Sequence, residues 1–263
     1  MIAAVIPVLN EEKTIKRVLQ NLFKVPVNIA IPVINGSTDQ TAEIISDLQD
    51  VRVKPVIFAE ALGIDVPRAI GAFQAYKLGA TSVLFVDGDM SGQFTANLQE
   101  LVSTVKSSAA DLALTDCYPD PKRDKLSDLA QLLVQIRLQL NKELGLLTSI
   151  GAASPSHGPH CISRRLLEKV PFRDLAVPPV MLAGAALQKL QIRIATAIPH
   201  LLLESSLRDS PHSRKMAETI IGDCLEAMHK LRCQPGIRQQ NGTTFTGYHR
   251  ERRFDLLEQF LKN

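Results

Sequence analysis

The chain has 263 residues, 45% of them hydrophobic and 22% charged, which allows one large α/β domain or two small ones around a buried core. A formal net charge of +3, with Lys and Arg scattered among acids, leaves no footprint for nucleic acid, and the basic cluster Arg250, Arg252 and Arg253 reads as a polar helix face. No run of about 18 apolar residues spans a membrane, Met1 leads straight into an apolar strand rather than a signal peptide, and the four cysteines form no C-x-x-C pair, so the expectation is a reduced, cytoplasmic protein.

The apolar run Ile2–Val8 reads as a buried strand. Asn10-Glu11-Glu12 then opens a helix whose apolar positions Ile15, Val18, Leu19 and Leu22 recur at helical spacing. Residues 27–34 form a second strand, the turn cluster Asn35-Gly36-Ser37-Thr38-Asp39 caps a helix over 41–48, and 51–58 is a third β-rich stretch. A helix over 66–78 ends at Gly79, and a strand over 82–86 runs into Asp87. Strand and helix thus alternate with short connections, the pattern of a mostly parallel, doubly wound α/β sheet. Ligands bind such sheets at the carboxyl ends of the strands. The unusual polar clusters at 9–11, 35–39 and 87–89 all stand at such ends.

Further on, a helix over 95–107, a strand over 111–117 and a polar loop over 119–125 follow. Residues 126–147 read as one long amphipathic helix with Leu129, Leu132, Leu133, Ile136 and Leu140 on its core face. The Gly-, Ala-, Ser- and Pro-rich stretch 151–158 reads as an exposed loop. A strand at 160–163 and helices at 164–169 and 180–190 come next, the last opened by Pro178-Pro179. A strand at 192–198, a polar loop from 207, and helices at 213–231 and 253–261 complete the chain.

Asp87-Gly88-Asp89 carries the most chemistry. Two carboxylates two residues apart on a strand point the same way and repel. A divalent cation that bridges them to a phosphate removes the conflict, and Mg²⁺ takes one or two carboxylates plus substrate phosphates. The glycine lets the backbone turn and a ligand approach. An Asp-Gly turn with a cap is the plain alternative, but the position after an apolar strand in an alternating chain favours metal and phosphate.

The segments IPVLNEEKTI, INGSTDQTAEI and GIDVPRAIGAFQAYKLGATSVLFVDGDM resemble, in order and spacing, the nucleotide half of family-2-type glycosyltransferases. With its PVLNEE opening and a late histidine, the chain is most similar within that clan to glucosyl-3-phosphoglycerate synthase and mannosylglycerate synthase-like enzymes. The resemblance implies a GT-A fold, a Rossmann-like sheet flanked by helices. Residues 1–210 would be the catalytic domain, with 1–115 as nucleotide-sugar half and 116–210 as acceptor half, and 211–263 a helical extension. It implies a UDP- or GDP-sugar donor, Mg²⁺ or Mn²⁺, and a small polar acceptor, phosphorylated or carboxylated, that offers a hydroxyl. A lipid-phosphate acceptor is the alternative. The C-terminal helices leave a homodimer contact and packing on their own domain equally open.

The same resemblance implies roles residue by residue. Pro7, Val8, Leu9 and Glu11 would line base and ribose, and Asn35 and Ser37 would face the base. Gly63 and Arg68 would lie by the diphosphate, Asp87 and Gly88 by ribose or sugar, and Asp89 on the metal, so that Arg68, Asp87 and Asp89 form the catalytic set. His212 would complete the metal site, with His200 as rival. His157, Gly158, Arg208 and His160 would face the acceptor. The chain departs from the family pattern at two places. Ile34 stands where an acid is usual, and LAVPPVML after Asp174 carries no acid pair to serve as base. Three options follow: a retaining transferase, a base supplied by Asp174 or Glu204, or a non-catalytic nucleotide-sugar binder. Nucleotidyl transfer fits poorly, because NEEKTI after the first strand is not a Gly-rich basic loop.

Overall fold

The structure is a computed structural model that describes residues 1–119, 126–205 and 209–262. Its elements in chain order are β1 (Ile2–Val8), α1 (Ile15–Leu22), β2 (Ile29–Asn35), α2 (Thr41–Asp47), β3 (Val56–Phe58), α3 (Val66–Lys77), β4 (Ser82–Phe85) and α4 (Thr95–Lys106). There follow β5 (Leu112–Asp116), α5 (Asp128–Glu143), α6 (Leu147–Ile150), β6 (His160–Ser163), α7 (Arg164–Lys169), α8 (Phe172–Leu175), α9 (Pro178–Leu187) and β7 (Ile192–Ala197). The chain closes with α10 (Ser210–Leu231), a short hairpin of β8 (Gln239–Gln240) and β9 (Thr243–Thr244), and α11 (Phe254–Lys262).

Seven strands form one sheet in the order β3-β2-β1-β4-β6-β5-β7. Every pairing is parallel except those of β6, which runs against both β4 and β5. Successive residues of a strand point to opposite faces, so each strand feeds two cores. Val5, Val33, Val83, Phe85 and Leu112 point to the face covered by α3, α9 and α10. Ala4, Ile6, Leu84 and Ala113 point to the face covered by α1 and α4. The fold is thus a GT-A-type sheet flanked by helices: the alternating elements predict the mostly parallel sheet, and the family resemblance predicts its type. Among the described residues no helix is long and apolar enough to cross a membrane.

Several local expectations change. The third β stretch shortens to Val56–Phe58, with one isolated bridge at Val53, because Pro55 supplies no amide to continue the ladder. The long helix breaks at Gly145, whose positive φ of 71° ends α5 and sets off α6. The face that α5 buries is Val134, Ile136, Arg137, Leu140 and Asn141, while Leu132 is exposed. The stretch 151–158 is not an exposed loop. Ala152, Ala153 and Ser154 are buried, and the Asn141 amide donates to the carbonyls of Gly151 and Ala153 at 2.8 and 3.0 Å. Helix α10 begins at Ser210, because the Asp209 carboxylate accepts from the His212 amide at 2.8 Å and caps it. The basic cluster near the C-terminus is no helix face: Arg252 is buried.

Candidate active site

The carboxyl ends of β1, β2 and β4 meet at one edge, and hydrogen bonds lock the loops beyond them together. Asn10 adopts a left-handed φ of 56°, its amide donates to Ser37 Oγ at 3.1 Å, and its side chain accepts from the Thr38 amide at 2.8 Å. Leu9 stands exposed there. Glu11 is buried, with its amide donating to Thr41 Oγ1 at 2.8 Å. Thr14 Oγ1 reaches both Glu11 Oε2 at 3.0 Å and the Gly88 carbonyl at 2.8 Å. The Gly88 amide donates to the Pro7 carbonyl at 3.0 Å, and a Cβ on Gly88 would press on that carbonyl oxygen and touch Glu11 and Val8. The glycine between the two aspartates thus lets the end of β1 come close. Ile34 lies buried in β2, opposite Val8, where an acid would be desolvated.

Asp87 leaves β4 beside the N-terminal turn of α3. Arg68 Nη2 donates to Asp87 Oδ1 at 2.5 Å, and Arg68 Nε donates to Asp65 Oδ1 at 3.0 Å. Burial pulls the Arg68 pKa down, but the two carboxylates outweigh it and raise it, so the guanidinium stays charged. Asp65 in turn accepts from Arg252 at 3.0 Å, and Arg252 forks onto both oxygens of Asp223 at 2.7 Å. A chain of alternating charges thus runs from Asp223 on α10 to Asp87. Gly63 serves this arrangement. Its φ is +80°, and a Cβ there would collide with the backbone of Glu251 and Arg252, which passes over it. Asn35 holds the same loop: its Oδ1 accepts from the Leu62 amide at 2.5 Å and its Nδ2 donates to the Gly63 carbonyl at 3.3 Å.

Because β6 runs backwards, it brings its beginning to this edge, where the other strands bring their ends. His160 pairs with Phe85 across the sheet and stacks on its ring, centroids 4.7 Å apart. Burial, and then the nearby Arg68, push its pKa down to about 3. Just upstream, His157 Nε2 lies 3.0 Å from Nδ1 of His200, which follows β7. Tyr118, after β5, packs against both rings at 5.1 and 6.3 Å. Behind them Arg137 is buried, with Nη1 3.5 Å from His157 Nδ1. Burial, with Arg137 adding to it, lowers the pKa of both histidines. Gly158 has φ +79° and sits against Cys117, whose thiol burial pushes up to about 12. The segment 200–204 also touches the aspartate turn. Gly92 donates its amide to the Leu203 carbonyl at 3.2 Å, and Ser91 Oγ donates to the Glu204 carbonyl at 3.4 Å.

The structure therefore brings Pro7, Val8, Glu11, Arg68, Asp87 and Gly88 into one network, with Leu9, Asn35 and Ser37 on the adjoining loops. His157 and Gly158 come to the same edge from the acceptor half. His212 lies on the first turn of α10, with Nδ1 2.7 Å from the Tyr248 hydroxyl. Arg208 falls outside the described residues. Of the two acids weighed as a base, Asp174 is ion-paired with Lys230 at 2.9 Å, and Glu204 is half-exposed and 3.4 Å from Arg17. Sequence reasoning missed Arg137, Tyr118, Asp65 and Arg252. An arginine flanked by apolar residues in a helical pattern was the available signal for the first.

Residues 3–170 match the profile of glycosyl transferase family 2. No curated protein matches the chain. Among solved structures, Mycobacterium tuberculosis glucosyl-3-phosphoglycerate synthase in complex with phosphoglyceric acid is similar with a TM-score of 0.63 and 20% identity, over 87% of this chain and 80% of that one. The same enzyme with Mn²⁺, UDP-glucose and phosphoglyceric acid gives 0.61 and 22%, over 87% and 79%. Residues 1–349 of S. aureus TarS give 0.50 and 16%, over 89% and 83%. At these identities the likeness is one of fold.

Proposed function

The chain belongs to glycosyl transferase family 2, and from that premise we propose that it transfers a sugar from a nucleotide diphosphate to a hydroxyl of a small acidic acceptor, with a divalent cation at Asp87 and Asp89. The observation that carries this reading is the convergence of Glu11, Arg68, Asp87 and Gly88 at one sheet edge, tied together by direct hydrogen bonds. The donor set fits a hard cation. Arg68 engages only Oδ1 of Asp87, so Oδ2 is left for a ligand, and Asp89 is half-buried two residues on. When bound, Mg²⁺ or Mn²⁺ would act as a Lewis acid toward the departing diphosphate. The solved neighbours are described with UDP, Mn²⁺ or Mg²⁺ and phosphoglyceric acid, which supports that choice of donor, metal and acceptor class.

Arg68 orients Asp87 and adds fixed positive charge beside the diphosphate. Glu11 accepts a ribose hydroxyl, while Leu9, Asn35 and Ser37 border the base. We read the transfer as retaining. The bond from the anomeric carbon to the donor phosphate breaks, the bond to the acceptor oxygen forms on the same face, and the acceptor proton passes to the departing phosphate oxygen. This suits a chain whose Asp174 is committed to Lys230.

A thermal-shift screen of UDP- and GDP-sugars with and without Mn²⁺ tests the reading. The expected outcome is stabilisation by one donor only when Mn²⁺ is present, lost in Asp89→Ala. A flat response to every donor and metal combination would overturn it.

A further inference from the structure

We propose that Tyr118, His157 and His200, backed by the buried Arg137, form a binding site for an anionic group, a phosphate or carboxylate, on the acceptor. The inference rests on the transferase reading above and adds to it which residues recognise the acceptor.

The argument begins with Arg137. It is only 2% exposed, yet its Nε has no hydrogen-bond partner, and no carboxylate among the described residues pairs with it. The acid nearest in sequence to Tyr118, Asp116, spends its Oδ1 on the Tyr118 amide at 2.9 Å. A buried cation without a counter-ion is costly, and a guanidinium is shaped for carboxylate or phosphate.

The hydrogen bonds then assign direction. Arginine can only donate, so His157 Nδ1, 3.5 Å from Arg137 Nη1, accepts. His157 therefore carries its proton on Nε2 and donates to His200 Nδ1 at 3.0 Å. His200, with Nδ1 occupied as an acceptor, carries its own proton on Nε2. His200 is exposed and Tyr118 is half-buried, so the assembly ends in an N–H and an O–H donor at the surface, with a positive charge behind them. The Tyr118 oxygen accepts from Arg137, which leaves its O–H and the His200 N–H to donate, and two donors backed by a cation describe a receptor for an anion. The position suits an acceptor, because the segment carrying His200 is bonded through Leu203 and Glu204 to the turn that carries Asp89.

The test uses the full chain, saturated with diamagnetic Mg²⁺ and the best donor nucleotide. Phosphoglycerate, glycerate, glycerol phosphate and glycerol are titrated while the His200 imidazole is followed by NMR. The acids should move the His200 signals and raise its pKa, and glycerol should do neither. His200→Phe and Arg137→Met should each weaken binding of the acid at least tenfold, and Arg137→Met should leave the donor thermal shift unchanged. His200→Gln, which restores an N–H donor, should recover most of it. Glycerate and glycerol phosphate separate carboxylate from phosphate. Since Leu201 and Leu202 stand exposed beside His200, vesicles of phosphatidylcholine doped with phosphatidic acid form a further arm. Vesicle binding that depends on His200 places the anion on a lipid. Normal affinity for every acid in His200→Phe, or no acid or vesicle binding at all in a protein that binds donor, overturns the proposal. Loss of donor binding in the unmodified chain strikes the transferase reading instead.

Discussion

His160 concentrates the electrostatic tension of the site in one ring. Its Nδ1 is buried without a hydrogen-bond partner, and burial with Arg68 nearby holds its pKa at about 3, against 6.5 in a free histidine. In the unfolded chain it charges as pH falls below 6.5, while in the fold it stays neutral. Acidification between those two values therefore favours unfolding, by up to about 1.4 kcal/mol per pH unit for one proton. His157, also depressed, acts in the same direction. Urea unfolding at about pH 7 and about pH 5 should give a loss of stability that is smaller in His160→Phe than in the unmodified chain. A His160→Phe slope equal to that of the unmodified chain would mean that His160 is not held neutral.

Among the elements, β4 and α3 were legible and α5 only in part. An apolar run that stops at Asp87-Gly88-Asp89 says both that a strand ends there and what it ends in, since strand direction alone delivers the acids to the ligand edge. Of the apolar stripe Leu129, Leu132, Leu133, Ile136 and Leu140 on α5, Ile136 and Leu140 are buried and Leu132 is exposed. The stripe that packs includes Arg137 and Asn141, which helical spacing by itself marks as polar. What decides between them is the partner, α10, which is distant in sequence and invisible to any local pattern. The same holds for Arg252, whose two acidic partners lie 29 and 187 residues away. Removing it in Arg252→Met leaves Asp223 with Arg238 and Asp65 with Arg68, each short of one charge. Loss of a buried partner costs about 3–5 kcal/mol, so denaturant unfolding should show a drop of that order. Donor affinity should fall as well, since Asp65 then holds Arg68 less firmly against Asp87.

At the scale of the whole molecule, the end of the chain is woven into the sheet's packing. Ile220, Ile221, Cys224, Leu225, Ala227 and Met228 of α10, and Leu257 of α11, belong to the same core as Val5 and Phe85. Phe260 of α11 meets Phe58 and Phe73 at 5.9 and 6.0 Å. A chain ended after residue 209 would expose that face, and we expect it to lack a cooperative unfolding transition by circular dichroism. A chain lacking only α11 should keep one, at a lower midpoint. One feature at the donor edge reaches further than its size. Because Gly88 is packed against Pro7 and Glu11, and Thr14 clasps both sides, two motifs some eighty residues apart are bonded directly to each other. Evolution and engineering alike can then retune this turn only by changing both together. A library that varies residue 88 alone should be enriched in glycine, whereas one that varies 7, 11, 14 and 88 jointly has room for new solutions.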